Sequence, residues 1–182
     1  MRRKVLWILG TIAALVAVIV AWGLMIPRNH AASSAIELRA APDSVWTVVR
    51  DIGGVPAWLP ELERSTRRAD SAGREVWDQS MSGWEMALVV TEDEPPRRLV
   101  TTIDVAPDAV FGGSWTYEVI PQQNGTRVRV TEHGWIGNPV FRVITQFAGL
   151  HGSLDQYLVA LGRRFGETVT PEHVAPPQRI EP

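Results

Sequence analysis

The sequence predicts an α+β fold: a curved antiparallel sheet wrapped around one long C-terminal helix, carried behind a single transmembrane helix. Three observations lead there. From Pro139 to Phe165, Val140, Ile144, Phe147, His151, Leu154, Leu158, Leu161 and Phe165 recur at steps of three and four, and Val143, Leu150 and Tyr157 widen the same face. A helix of that span is about 40 Å long, so only a sheet can cover its stripe. Short segments of alternating polarity precede it at regular spacing. Ahead of both, Val5 to Ile26 carries no charge, and as a helix it reaches about 33 Å against a hydrocarbon core of about 30 Å.

Residues 1–26 therefore read as a membrane anchor. Trp7 and Trp22 sit near the two interfaces, and Arg2, Arg3 and Lys4 precede the span while only Arg28 closely follows. Basic residues stay on the cytoplasmic side, which puts the N-terminus in the cytoplasm and the rest of a single-pass cell-membrane protein outside it. The alternative is a secreted protein after signal cleavage near Ala31 to Ala35, but the apolar run exceeds the 7 to 15 residues of a signal core. Residues 27–33 read as a linker, 34–166 as the folded domain, and 167–182, with Pro171, Pro176, Pro177 and Pro182, as a disordered tail.

Within the domain, Ile36, Leu38 and Ala40 alternate as a first strand. Pro42 and Asp43 then open a short helix, where a missing N–H costs nothing and a carboxylate meets the positive end of the dipole. Val45, Trp46, Val49 and Ile52 give its inner face, and Gly53-Gly54 ends it. A second short turn lies between Pro56 and Pro60. Arg64 to Asp70 is a charged edge strand, turned by Ser71-Ala72-Gly73. Strands follow at Arg74 to Met81, Trp84 to Thr91, Arg97 to Val105, Ser114 to Ile120 and Thr126 to Trp135. Their inward set is Trp77, Met81, Trp84, Met86, Leu88, Val90, Leu99, Thr101, Ile103, Trp115, Tyr117, Val119, Val128 and Val130. Asn124-Gly125 predicts a hairpin with positive φ at both central residues.

Removing the three basic residues before the span leaves 15 Lys+Arg against 20 Asp+Glu, a balance of −5, which argues against nucleic acid as a partner. There is no cysteine, hence no disulfide and no thiolate chemistry. His30, His133, His151 and His173 are too scattered for a local zinc pattern, and no nucleophile elbow, dinucleotide fingerprint or P-loop occurs. The expectation is no metal, no cofactor and no catalytic residue with a recognised signature.

The order strand, two short helices, antiparallel strands, long C-terminal helix, together with Ala41-Pro42-Asp43-Ser44-Val45-Trp46, Asp51, Trp58-Leu59-Pro60 and Gly125-Thr126-Arg127-Val128, resembles the helix-grip fold of the START/Bet v 1-like (SRPBCC) superfamily. Its polyketide cyclase/dehydrase and lipid-transport-like members are those the sequence looks like. The resemblance implies a cavity between sheet and helix for a small apolar molecule or lipid, and covers about Ser34 to Phe165. Geometry supplies the candidate lining: Phe147, His151 and Leu154 from the helix against Trp77, Met86, Ile103, Trp115 and Tyr117 from the sheet. Glu132 or His151 is the polar group that orients a ligand. Three functions follow: binding or carriage of an apolar ligand at the membrane, a cyclase, dehydrase or hydrolytic enzyme using a cavity acid and histidine, or an interaction module whose cavity is filled by its own side chains. Gly149 and Gly152, each costing about 1 kcal/mol in a helix, mark either close packing or room for a ligand.

Overall fold

The computed structural model describes residues 2–81, 83–106 and 109–177. Helix α1 (Arg2–Met25) is long and apolar enough to cross a membrane, with a mean hydropathy of 2.5 over its apolar stretch. Strand β1 (Asn29–Leu38) follows, then α2 (Pro42–Arg50) and a 3-10 turn (Ile52–Ala57), in which Asp51 accepts from the amide of Gly54 at 3.0 Å. Six strands come next: β2 (Leu62–Ser71), β3 (Arg74–Met81), β4 (Trp84–Glu94), β5 (Arg98–Ile103), β6 (Phe111–Gln122) and β7 (Gly125–Ile136). Helices α3 (Pro139–Ala148) and α4 (Gly152–Arg164) and the two-residue strand β8 (Glu172–His173) complete the chain. All eight strands form one antiparallel sheet in the order β2-β3-β4-β5-β6-β7-β1-β8.

The core sits between this sheet and α2 and α4. Ile36, Leu38, Val90, Leu99, Val119, Val128 and Val130 from the strands meet Val45, Trp46, Val49, Leu154, Leu158 and Leu161 from the helices, all buried. Alternation places each set on one face, as the pattern of the sequence predicts. Pro42 opens α2 without a side-chain cap, and Asp43 and Arg50 complement its dipole.

Four expectations are corrected. The C-terminal helix is two helices, because Gly149 takes φ +79 and ends α3 before His151 and Gly152 begin α4. The linker is shorter than residues 27–33, since β1 begins at Asn29, and Ser33 and Ser34 are fully buried in it. The tail is not disordered over residues 167–177: Glu172 and His173 pair with Ala35 and Ser34 and close the sheet edge, while 178–182 lie outside the described residues. In the β6–β7 hairpin, Gln122 pairs with Gly125, so Gln123 and Asn124 are the loop and only Gly125 has positive φ. The turn with two positive φ values is Ala72-Gly73, between the paired Ser71 and Arg74.

Where the first helix meets the domain, one side chain makes the joint. Arg142 of α3 is 6 % exposed and donates to the carbonyl oxygens of Gly23, Ile26, Ile136 and Gly137 at 2.8–3.2 Å. The guanidinium thus satisfies the orphaned carbonyls at the negative end of α1. Gly23 lies against Pro139, so tightly that a Cβ would collide with its backbone, and Trp22 packs edge-on to Phe147 with ring centroids 6.0 Å apart.

On the opposite flank, Arg50 bridges Glu75 (2.6 Å) and Asp93 (2.8 Å). The hydrogen bond from Arg50 holds the Glu75 carboxyl below its ordinary value of 4.5, and the indole of Trp77 adds to the effect against the opposing cost of burial. A depressed carboxylate stabilises the fold above its unfolded value and loses that contribution as pH falls through the folded value. Glu75→Gln should therefore cost about 1 kcal/mol at neutral pH. It should also flatten the loss of stability below pH 4.5, read from urea midpoints at pH 3 to 7.

Candidate functional site

Directly paired residues of antiparallel strands project to the same side. Register therefore places Trp77, Leu88 and Ile103 in one row, Gln79 and Met86 in a second, and Thr101, Trp115, Glu132 and Ala32 in a third. A fourth row holds Leu99, Tyr117 and Val130. The concave face thus gathers Trp77, Met86, Ile103, Trp115, Tyr117 and Glu132, six of the nine residues expected to line a site. Leu154 meets them only as a fully buried core residue. Phe147 and His151 do not join them. Phe147 is 76 % exposed and turned toward α1, and His151 stands over the β1–β8 edge, bonded through Nδ1 to Ser34 Oγ at 3.1 Å.

Under α4, side chains occupy the space between sheet and helix. Leu158 and Leu161 of α4 press on Val119, Val128 and Val130, and Tyr157 bridges Trp58 and Tyr117 with centroids 5.2 Å from each. Burial pushes the Tyr117 phenol up to about 12, opposed by the neighbouring Thr101 hydroxyl, although Thr101 Oγ1 makes no hydrogen bond of good geometry. Burial likewise raises Tyr157 well above its ordinary value. Both phenols therefore stay neutral at physiological pH.

The accessible part of the concave face lies beyond the N-terminus of α4. The backbone of α4 runs over β1 and β7, whereas α3 packs on α1 instead of the sheet centre. This leaves Met86, Ile103 and Trp115 half-buried. The end of β3, start of β4, end of β5, start of β6, end of β7 and start of β1 converge here, as the antiparallel registers require. Trp84 (60 % exposed) and Phe111 stack edge-on across this rim at 6.2 Å, next to exposed Val110, Val140, Phe141 and Ile144. Trp84, expected inside, keeps the inward parity but stands past the last covering residue.

A polar cluster centred on Glu132 lies on this face. Glu132 accepts from Trp115 Nε1 (3.1 Å) and Ser153 Oγ (3.4 Å) and pairs with His30 Nε2 (3.2 Å), with the His30 and Glu132 side chains 17 % and 19 % exposed. Sequence reasoning found Glu132 by parity but missed His30, which it assigned to the linker, and Ser153. It also found no metal-ligand pattern, yet the fold brings His151, Asp155 and His173 together. A separate notch of about 280 Å³ at the opposite end, between β1 and the β6–β7 hairpin, touches none of the expected residues.

A helix-grip α+β protein with an apolar concave face is the class that this geometry defines. The chain belongs to the polyketide cyclase / dehydrase and lipid transport family, whose profile matches residues 29–166. It is similar in structure to a START superfamily protein from Mycobacterium smegmatis (TM-score 0.60, 19% identity, 74% of this chain and 96% of that one). Norcoclaurine synthase from Thalictrum flavum is similarly related (0.60, 17%, 76% and 87%). So is the di-domain aromatase/cyclase StfQ of the steffimycin pathway (0.57, 13%, 78% and 52%), of which the chain spans about half. Comparison with curated protein sequences gives no match.

Gly152 has no atom within 4 Å of where a Cβ would stand, so it serves neither close packing on the sheet nor a required φ. Gly152→Ala should raise stability by about 0.5 kcal/mol in thermal unfolding. A loss of 1 to 3 kcal/mol would mean that the site is packed after all.

Proposed function

We propose that the protein is a membrane-anchored, extracytoplasmic binder or carrier of a small apolar, lipid-like molecule, which lies on the open concave face at the α1 end of the sheet. One observation carries this reading: the apolar rim of Trp84, Val110, Phe111, Phe141 and Ile144 stands at the same end as the apolar helix α1, joined to it through α3 and Arg142. With α1 in a bilayer, that rim is held at the membrane surface, and an apolar molecule can pass from lipid to Ile103, Met86 and Trp115 with little exposure to water. The family's description, polyketide cyclase / dehydrase and lipid transport, fits an apolar face of this kind. The basic residues before α1 support placement of the domain outside the cytoplasm.

The test uses the full chain in nanodiscs and a fluorescent acyl probe. Ile103→Glu should weaken probe binding at least tenfold with unchanged circular dichroism, because a carboxylate on an apolar contact costs over 1.4 kcal/mol, or tenfold. Equal binding by wild type and variant would reject the site. A reporter fused after Pro182 that is active only in the cytoplasm would reject the topology.

A proton-transfer enzyme is the second reading, favoured by the His30–Glu132 pair on the same face. Glu132→Gln keeps an acceptor for Trp115 and removes the base. If the pair is catalytic, turnover of a cyclisable or dehydratable substrate should drop by 10²-fold or more, by the typical worth of acid–base catalysis, while probe binding stays.

A further inference from the structure

We infer that His151, Asp155 and His173 form a binding site for one divalent transition-metal ion of the zinc class, which fastens the C-terminal segment to α4 and β1. One donor atom from each of the three lies within 4.8 Å of the others. His151 precedes α4 but already has helical φ and ψ of −95° and −10°, and its carbonyl accepts from the Asp155 amide at 2.8 Å. His151 and Asp155 thus stand four apart on one helical face, the spacing that lets two side chains share a ligand. His173 comes from a separate element: β8 pairs it with Ser34, so both side chains point to that face.

The three side chains already contact one another and share one buried serine. His173 Nε2 and Asp155 Oδ2 are 2.9 Å apart, and the two imidazoles stack with centroids 3.8 Å apart and planes 15° from parallel. Fully buried Ser34 donates its single proton to Asp155 Oδ1 at 2.7 Å and accepts from His151 Nδ1 at 3.1 Å. That tautomer leaves the lone pair on the other ring nitrogen of His151, and the serine fixes both ligands from behind, as supporting hydrogen bonds do in metal sites. Metal–nitrogen bonds of about 2.0–2.1 Å set tetrahedral ligand atoms about 3.3 Å apart. Closing from 4.8 Å to that value needs a tilt of the exposed His173 ring, on a strand of only two residues. Two imidazoles and one carboxylate suit zinc, cobalt, nickel or copper better than calcium or magnesium, with the remaining positions open to water.

The test reads metal binding directly, without an apolar probe, so its outcome does not depend on the proposed ligand. Untagged full-length protein in detergent micelles is stripped with chelator and titrated with Co²⁺. The expected result is one equivalent bound, with visible d–d absorption bands, a Kd at or below about 10 μM (about −7 kcal/mol by the affinity scale), and displacement of the bands by Zn²⁺. Zn²⁺ should also raise the Tm, since binding to the native state alone stabilises it. Asp155→Asn and His173→Gln should each weaken Co²⁺ binding at least tenfold with unchanged circular dichroism. Wild-type protein that shows neither bands nor a Tm rise overturns the site whatever the variants do, and so do bands undiminished in both variants.

Discussion

Gly149 constrains everything at the α1 end of the molecule. With φ +79 and ψ 161, it ends α3 in a conformation almost confined to glycine, which other residues adopt only at a cost of roughly 1–3 kcal/mol. A continuous helix from Pro139 to Phe165 would lay its whole stripe on the sheet and bury Ile103 and Trp115. The break lets α4 keep Leu154, Leu158 and Leu161 in the core, while α3 packs on α1 and places Phe147 against Trp22. The open concave face, the joint with α1 and the meeting of His151 with Ser34 all follow from that one change of direction.

Arg142 makes the second arm of this arrangement definite. A buried guanidinium without a carboxylate is expensive unless its donors are used, and here four backbone carbonyls from α1, its exit and the end of β7 take them up. Gly23 allows the backbones to approach and Trp22 covers Phe147. The first helix is therefore tied to the domain by directional bonds as well as by the chain, and the orientation of the apolar rim relative to it is set by packing.

The sheet was legible because period-two alternation is a local signal: every expected strand exists, and the inward parity of Trp77, Met86, Ile103, Trp115, Tyr117 and Glu132 holds in the registers. The break in the C-terminal helix was not, since the apolar repeat passes through Leu150 and His151 without losing step and does not tell which partner each half faces. Ala32 and Ser33 look like a linker, being small, yet Ala32 is buried and Ser33 bonds Thr131 at 2.8 Å. Residues 167–177 have no period, but Arg127 holds Glu172 at 2.8 Å, and Val169 fills the space beside Gly162. Contacts so distant in sequence leave no local pattern. The hairpin was placed correctly but one residue out of step, because Gly125 pairs with Gln122 and is needed where the backbone passes Leu38.

The chemistry of Glu132 bears on what kind of ligand the face selects. The carboxylate already meets Trp115, Ser153 and His30, so it is satisfied without a guest, and a polar head group gains only what it can offer beyond those partners. Binding energy must then come mainly from apolar area, at about 25 cal/mol per Å², on Ile103, Met86 and Trp115. Such a surface would discriminate weakly between molecules that differ by one methylene or one hydroxyl. For Glu132 to act as a base instead, the substrate must displace Ser153 or His30 from it. Ser153 lies in the first turn of α4, beside the fully buried Leu154, so displacing it means moving a turn that is anchored in the core.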